Sequence, residues 1–159
     1  MHDLTVPVGA SPTWMAAAGD RSDRVPQDSR NSTGGDLARI GVLIVEDESL
    51  VALDMERLVS EAGYDVLAVV DTERDAITEA ERLQPDVILM DVALRQGDGI
   101  AAAVAIRSRR DVPVVFVSGN ADPATLARVA QTQPAGFVRK PFLGHELLAH
   151  LRAALPRKT

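Results

Sequence analysis

The chain of 159 residues contains no cysteine. Disulfides and cysteine-based zinc centres are thereby excluded, and an intracellular location is compatible. Aromatic residues make up only 3%, so Leu, Ile, Val and Ala must build any core. No apolar run approaches the roughly 20 residues needed to cross a bilayer. The start lacks a basic segment followed by an apolar one, so it does not read as a secretory leader. Positive charge is in deficit, with 17 Lys and Arg against 23 Asp and Glu and a net charge of −6. Such a balance repels DNA and anionic membranes. Neither is an expected partner, and the cytoplasm is the expected location.

What remains is ordinary for a soluble domain: 46% hydrophobic and 25% charged residues. A chain of this length suggests one domain and can bury roughly two-thirds of its unfolded surface. The first 36 residues stand apart. They hold Pro7, Pro12 and Pro26, five Asp and three Arg, and no sustained apolar period. A segment of this composition cannot bury enough surface to offset its ordering entropy. Residues 1–36 are read as a disordered tail, or as an over-long start with the true beginning at Met15 or later. Residues 37–159 are read as the folded domain.

A rhythm begins near Asp36. Short apolar runs recur at Val42–Val45, Val66–Val70, Val87–Met90, Val112–Val117 and Ala135–Val138. Runs without alternation, rich in Val and Ile, suit strands buried on both faces. Pro113 fits the start of its strand. Helical patterns lie between the runs. Val51, Met55, Leu58, Val59 and Ala62 share one face, closed by Gly63. Ala76, Ala80 and Leu83 follow Thr72, a candidate N-cap. Ile100, Ala103, Val104 and Arg107 mark a third helix. Leu126, Val129 and Ala130 mark a fourth, with Pro123 in its first turn. Leu147, Leu148, Leu151 and Leu155 mark the last. Five strands alternating with five helices predict a three-layer α/β fold with a parallel sheet covered on both sides. Such sheets bind ligands at the carboxyl ends of their strands, where the strand order reverses.

The residues following each strand therefore matter most. They are Glu46 and Asp47, then Asp91, then Ser118 and Gly119, then Lys140. Clustered carboxylates raise one another's pKa unless a cation joins them. Mg²⁺ takes oxygen ligands and is commonly held by one or two carboxylates plus a phosphate. A carboxylate can also accept a phosphoryl group, a transfer that needs mainly positioning and charge neutralisation. Asp47 and Asp91, with Glu46 in reach, suit the ion. Lys140 offers a point charge, and Ser118 a hydroxyl donor. Each residue alone has a plainer reading. Glu46 and Asp47 could cap a helix, Asp91 and Ser118 could serve turns, and Lys-Pro is a common pair. The weight lies in all of them falling at successive strand ends.

The strings VEDE at 45–48, PDVILMDVAL at 85–94, GDGI at 97–100, VVFVSG at 114–119 and GFVRKPF at 136–142 resemble those of bacterial two-component response-regulator receiver domains. The resemblance covers about residues 38–155. It implies a flavodoxin-like sheet of strand order 2-1-3-4-5. It also implies that Glu46 and Asp47 are the acidic pair, Asp91 the phosphoacceptor, Ser118 the switch hydroxyl, Lys140 the conserved-type lysine and Phe137 the switch aromatic. Mg²⁺, with Mn²⁺ as an alternative, would be held by Glu46, Asp47, Asp91 and the backbone carbonyl of Ala93. Ala93, Gly119 and Asn120 would flank the phosphoryl group. The Lys140–Pro141 bond would be cis. Three positions depart from the commonest pattern: Glu46 replaces a frequent Asp, Ser118 a frequent Thr, and Arg95 a frequent Pro.

The resemblance further implies a histidine kinase or histidine phosphotransfer protein as phosphodonor. A downstream protein would read the face formed by the fourth helix, fifth strand and fifth helix. With no room left after the fifth helix, the expectation is a receiver without an output domain, a monomer or a phosphorylation-dependent dimer, and no enzyme beyond its own phosphorylation and dephosphorylation. Three rivals are a pseudo-receiver that works unphosphorylated, a phosphatase with an Asp nucleophile and a metal-binding protein using His145 and His150. The second would want Asp-x-Asp after the first strand, where this chain has Glu-Asp-Glu at 46–48. His145 and His150 are five apart, not the i, i+4 of a shared helix face, and are read as surface residues.

Overall fold

The computed structural model describes residues 39–156. The expected tail at 1–36 lies outside the described residues. Ten elements alternate along the chain: β1 (Gly41–Val45), α1 (Ser49–Glu61), β2 (Asp65–Val70), α2 (Glu73–Leu83), β3 (Val87–Asp91), α3 (Gly99–Arg107), β4 (Val114–Ser118), α4 (Pro123–Gln131), β5 (Gly136–Arg139) and α5 (Gly144–Ala154). The five strands form one sheet of order β2-β1-β3-β4-β5, and every pair is parallel. This is the doubly wound, flavodoxin-like architecture expected. The order reverses at β1, which places the crevice at the carboxyl ends of β1 and β3.

Alternate residues of each strand feed opposite layers. Val42 and Ile44 of β1, Val87 and Leu89 of β3, and Val115 and Val117 of β4 meet Met55 and Val59 of α1 and Leu147 and Leu151 of α5. Leu43, Val45, Ile88, Met90, Val114 and Phe116 face the other way. They meet Ala76 and Ala80 of α2, Ile100 and Ala103 of α3, and Val129 of α4. The central strands are buried along their whole length. Each fully buried Val, Leu or Ile contributes about 1.5–3 kcal/mol through removal from water. Two layers of such residues hold the sheet rigid beneath its loops.

Two helix starts lie where the sequence signals them, one through a side-chain hydrogen bond and one through proline's fixed φ. Thr72 caps α2 by accepting from Asp75 N at 3.0 Å, and Pro123 opens α4. Four expectations need correction. The run at 66–70 is an edge strand, β2, and only partly buried, with Val69 exposed; its composition resembles that of a central strand because periodicity cannot report sheet position. Val112 and Pro113 precede β4, and Ala135 precedes β5; Pro113 contributes only its carbonyl, which accepts from Ile88 N. Val104 is 55% exposed, while Ala102, Ala103 and Ile106 form the buried face of α3. The stretch 99–106 is apolar almost all round, so its pattern could not set the helix phase. Ala62 is likewise exposed and acts as the C-cap of α1, beyond the face set by Met55 and Val59.

Candidate functional site

The carboxyl ends of β1, β3, β4 and β5 deliver Glu46, Asp91, Ser118 and Lys140 to one edge. Glu46, Asp91 and Ser118 are 2%, 3% and 1% exposed, far below what such groups normally show. The Lys140 ammonium lies among them. Its Nζ donates to Glu46 Oε1 at 2.6 Å and to Asp91 Oδ2 at 3.2 Å, and stands 3.6 Å from Glu48 Oε1. Glu48 was not anticipated; its only sequence signal is that it extends the acidic pair. The Lys140 backbone N–H donates to Ser118 O at 2.9 Å, which fixes the end of β5 to the end of β4. The Lys140–Pro141 peptide is cis, as the resemblance implied.

The electrostatics follow from this crowding. Burial, with the neighbouring Asp91 carboxylate, pushes the Glu46 carboxyl up to about 8 against the pull of Lys140. Burial alone would lower the Lys140 ammonium. The hydrogen bond that the ammonium donates to Glu46 and the charges of Asp91 and Glu46 outweigh burial and hold Lys140 above its ordinary range. One ammonium faces more than one carboxylate here, so the pocket is short of positive charge. Glu46 Oε2 is buried without a hydrogen-bond partner among the described residues, and an orphaned carboxylate oxygen is costly. Glu46, Asp47 and Asp91 each offer a carboxylate oxygen, and these atoms lie within 4.8 Å of one another. An all-oxygen set with surplus negative charge fits a hard divalent cation such as Mg²⁺.

The loop between β3 and α3 finishes the site. Ala93 N donates to Asp91 Oδ1 at 3.2 Å, and Ala93 bridges to Asp98. Gly99 packs directly on the end of β3; a Cβ there would stand 1.8 Å from Asp91 O. Only glycine lets α3 start so close to the acid. Arg95 N donates to Asp47 Oδ2 at 2.7 Å. Asp98 caps α3 by accepting from Ile100 N at 2.7 Å, and it pairs with Arg128 of α4. The sequence marks Arg95 only as a departure from a frequent proline, not as a donor to Asp47, and does not set Asp98 apart within the string GDGI. Asp98 could have been set apart, as an Asp preceding a helical Gly-Ile.

Ser118, Phe137, Gly119 and Asn120 are placed less directly. Ser118 Oγ accepts from Asn120 N and donates to Asn120 O, both at 3.1 Å, so its hydroxyl is engaged within its own turn. Phe137 is already buried, opposite Phe116 in the β4–β5 register. Gly119 is exposed, with open space where a side chain would project. Asn120 turns toward the start of α4, where Oδ1 accepts from Asp122 N at 3.1 Å. Beside these residues an open cleft of about 460 Å³ is lined by Glu48, Leu50, Val51, Lys140 and Phe142, among others.

The histidines correct an expectation. His145 is exposed, but His150 is buried and its Nδ1 has no partner among the described residues. His150 lies three residues beyond Leu147 and beside Leu151, on the face of α5 that packs on the sheet. The spacing to Leu147 carried that signal; the spacing to His145 did not.

Acids from the ends of β1 and β3 meet a lysine from the end of β5 at one edge of an open α/β sheet, and comparison with known proteins assigns the family. The response regulator receiver domain family matches residues 42–152. The chain belongs to this family. Its relatives include the transcriptional regulatory protein PdtaR of Mycobacterium tuberculosis, 31% identical over 73% of this chain and 57% of that protein. The phyllosphere-induced regulator PhyR of Methylorubrum extorquens is 34% identical over 72% of this chain and 43% of its own length. The chain thus spans about half the length of these curated relatives. Among solved structures, the chemotaxis protein CheY4 of Vibrio cholerae superposes with a TM-score of 0.70 at 25% identity, covering 74% of this chain and all of that one. Among the described residues no helix is long and apolar enough to cross a membrane.

Proposed function

We propose that Asp91 accepts a phosphoryl group from a histidine kinase or histidine phosphotransfer protein. One observation carries this reading: three strand-end carboxylates share a 4.8 Å cluster while the Lys140 ammonium contacts Asp91. Glu46, Asp47, Asp91 and the Ala93 carbonyl would hold Mg²⁺, or Mn²⁺ in its place. The bound ion supplies positive charge to the phosphoryl oxygens.

This chain's residues perform the rest. A carboxylate oxygen of Asp91 forms a bond to phosphorus as the bond to the donor imidazole nitrogen breaks. That nitrogen keeps the electron pair, leaving a neutral imidazole. Lys140 lets go of Asp91 Oδ2 and offers its protons to a phosphoryl oxygen. Ser118 exchanges its bond to Asn120 O for another phosphoryl oxygen. Ala93, Gly119 and Asn120 surround the group and govern the approach of water.

The output is a population shift. Movement of Ser118 loosens the turn at 118–120 and the start of α4. Phe137, packed behind β4, repacks in response. The face of α4, β5 and α5 then changes for a protein partner, or for a second copy, with the unphosphorylated protein monomeric. Such a partnership places the protein in the cytoplasm. It is a signalling domain whose only catalysis is its own phosphorylation and dephosphorylation.

Incubation with acetyl phosphate and Mg²⁺, followed by intact-mass measurement, tests the reading. One phosphoryl adduct is expected on the wild type, and none on Asp91→Asn or without the ion. An unmodified wild type that also fails to bind Mg²⁺ would leave a phosphorylation-independent adaptor as the better reading.

A further inference from the structure

A single backbone hydrogen bond ties the β3–α3 loop to the acidic pair. Arg95 N donates to Asp47 Oδ2 at 2.7 Å, a length typical of a charge-assisted bond. The two residues are 48 positions apart in sequence. Position 95 is where the resemblance to receiver domains implies a frequent proline, and a proline has no N–H to give. The departure from the usual pattern and the bond are therefore the same fact.

Asp47 needs such a partner. Glu46 and Asp91 are buried and gripped by Lys140. Asp47 is half-buried and makes no contact with that lysine among the described ion pairs. Without the loop its carboxylate would have to be ordered by an arriving cation, at an entropic cost. The Arg95 N–H occupies Oδ2 and leaves Oδ1 and further lone pairs free, since an ionised carboxylate accepts about four bonds. Outer partners of this kind orient ligands and strengthen metal sites. The loop end of the bond is itself fixed. Thr72 bridges to Gln96, and Glu73 Oε2 accepts from Asp98 N at 2.9 Å.

We infer that residue 95 is a positioning residue for the cation site, acting through its backbone N–H rather than its guanidinium, and that a non-proline residue there pre-organises Asp47 for Mg²⁺. The inference rests on the metal reading given above.

Calorimetric Mg²⁺ titration of the metal-free wild type, Arg95→Ala and Arg95→Pro separates the possibilities. Arg95→Ala keeps the N–H and should bind within about twofold of wild type. Arg95→Pro removes it and should bind about tenfold more weakly, the low end for an outer partner. Equal affinity of all three, or an equal loss in both variants, overturns the inference while sparing the metal reading. A wild type that takes up no Mg²⁺ sinks both. Should Arg95→Pro fail to fold, amide exchange on the wild type decides. The Arg95 N–H should be protected relative to Leu94, and its resonance should move on Mg²⁺ addition. An unprotected amide that ignores the ion overturns the inference.

Discussion

Lys140 Nζ donates to Glu46 Oε1 at 2.6 Å across 94 residues of sequence, joining the last strand to the first. This buried pair is the electrostatic hinge of the molecule. Breaking a buried ion pair by removing one partner typically costs about 3–5 kcal/mol, because the other charge is left uncompensated. Lys140→Met should therefore lower stability in urea by about 3 kcal/mol in metal-free buffer above pH 8, where Glu46 is ionised, and by less below it. The Glu46 carboxyl is pushed up to about 8 from 4.5, so the folded state holds a proton there that the unfolded state has released. Stability gained from that proton is lost as pH rises toward 8, and the deficit of the variant should grow in the same direction. A deficit independent of pH would show that Glu46 is not the group left uncompensated.

Gly99 separates α3 from the end of β3 by the width of a hydrogen atom. A Cβ at this position would stand 1.8 Å from Asp91 O, a backbone atom that cannot swing aside. Gly99→Ala should cost more than about 3 kcal/mol, beyond the usual range for overpacking. It should also weaken Mg²⁺ binding by displacing Asp91. Circular dichroism melts and Mg²⁺ titration check the two effects. A well-folded Gly99→Ala with unchanged Mg²⁺ affinity would contradict the close packing.

Asp98 has two tasks of unequal weight. Its Oδ1 caps α3 through Ile100 N, and its Oδ2 pairs with Arg128. Loss of an N-cap costs about 1 kcal/mol, whereas a half-exposed ion pair contributes well under 1 kcal/mol. Asp98→Ala should destabilise by about 1–2 kcal/mol, and Arg128→Ala by a few tenths. Equal effects in equilibrium unfolding would mean that the ion pair, not the cap, holds the start of α3.

His150 gives the fold an acid-side weakness. Burial lowers its pKa below 6.5, and the Glu146 charge only partly offsets this. Among the described residues the charge acting on it is Glu146 of its own helix; Gly136 of β5 lies against its ring, with Val115 of β4 close by. The unfolded chain binds a proton at His150 that the folded one resists. Stability is therefore complete above pH 6.5 and lost as pH falls below it, with a limiting slope of about 1.4 kcal/mol per unit. His150→Leu should remove that slope relative to wild type, with Glu46 acting equally in both. Parallel pH profiles for the two proteins would refute it. A Cβ on Gly136 would lie 2.9 Å from His150 Nδ1, so Gly136→Ala should harm the wild type more than His150→Ala.

Much of this was legible in the chain because it rests on local rules. The apolar runs at 42–45, 87–90 and 114–117 are buried strands because nothing else buries both faces of so short a segment. Thr72 and Pro123 mark helix starts because their hydrogen bonding and φ are local properties. Glu46, Asp47, Asp91, Ser118 and Lys140 could be named because a parallel sheet puts every strand end on one edge.

The sequence by itself determined the elements, their parallel arrangement and which side chains the edge would collect. Only the tertiary structure decided how those side chains share their bonds. It gave Lys140 to Glu46 and Asp91, turned the Ser118 hydroxyl to Asn120, tied Asp47 to the Arg95 amide, and buried His150 while leaving Val104 outside. These outcomes depend on distances between segments dozens of residues apart and on the phase of each helix against the sheet. Periodicity fixes neither, because it reports which face of an element is apolar and not which neighbour meets it.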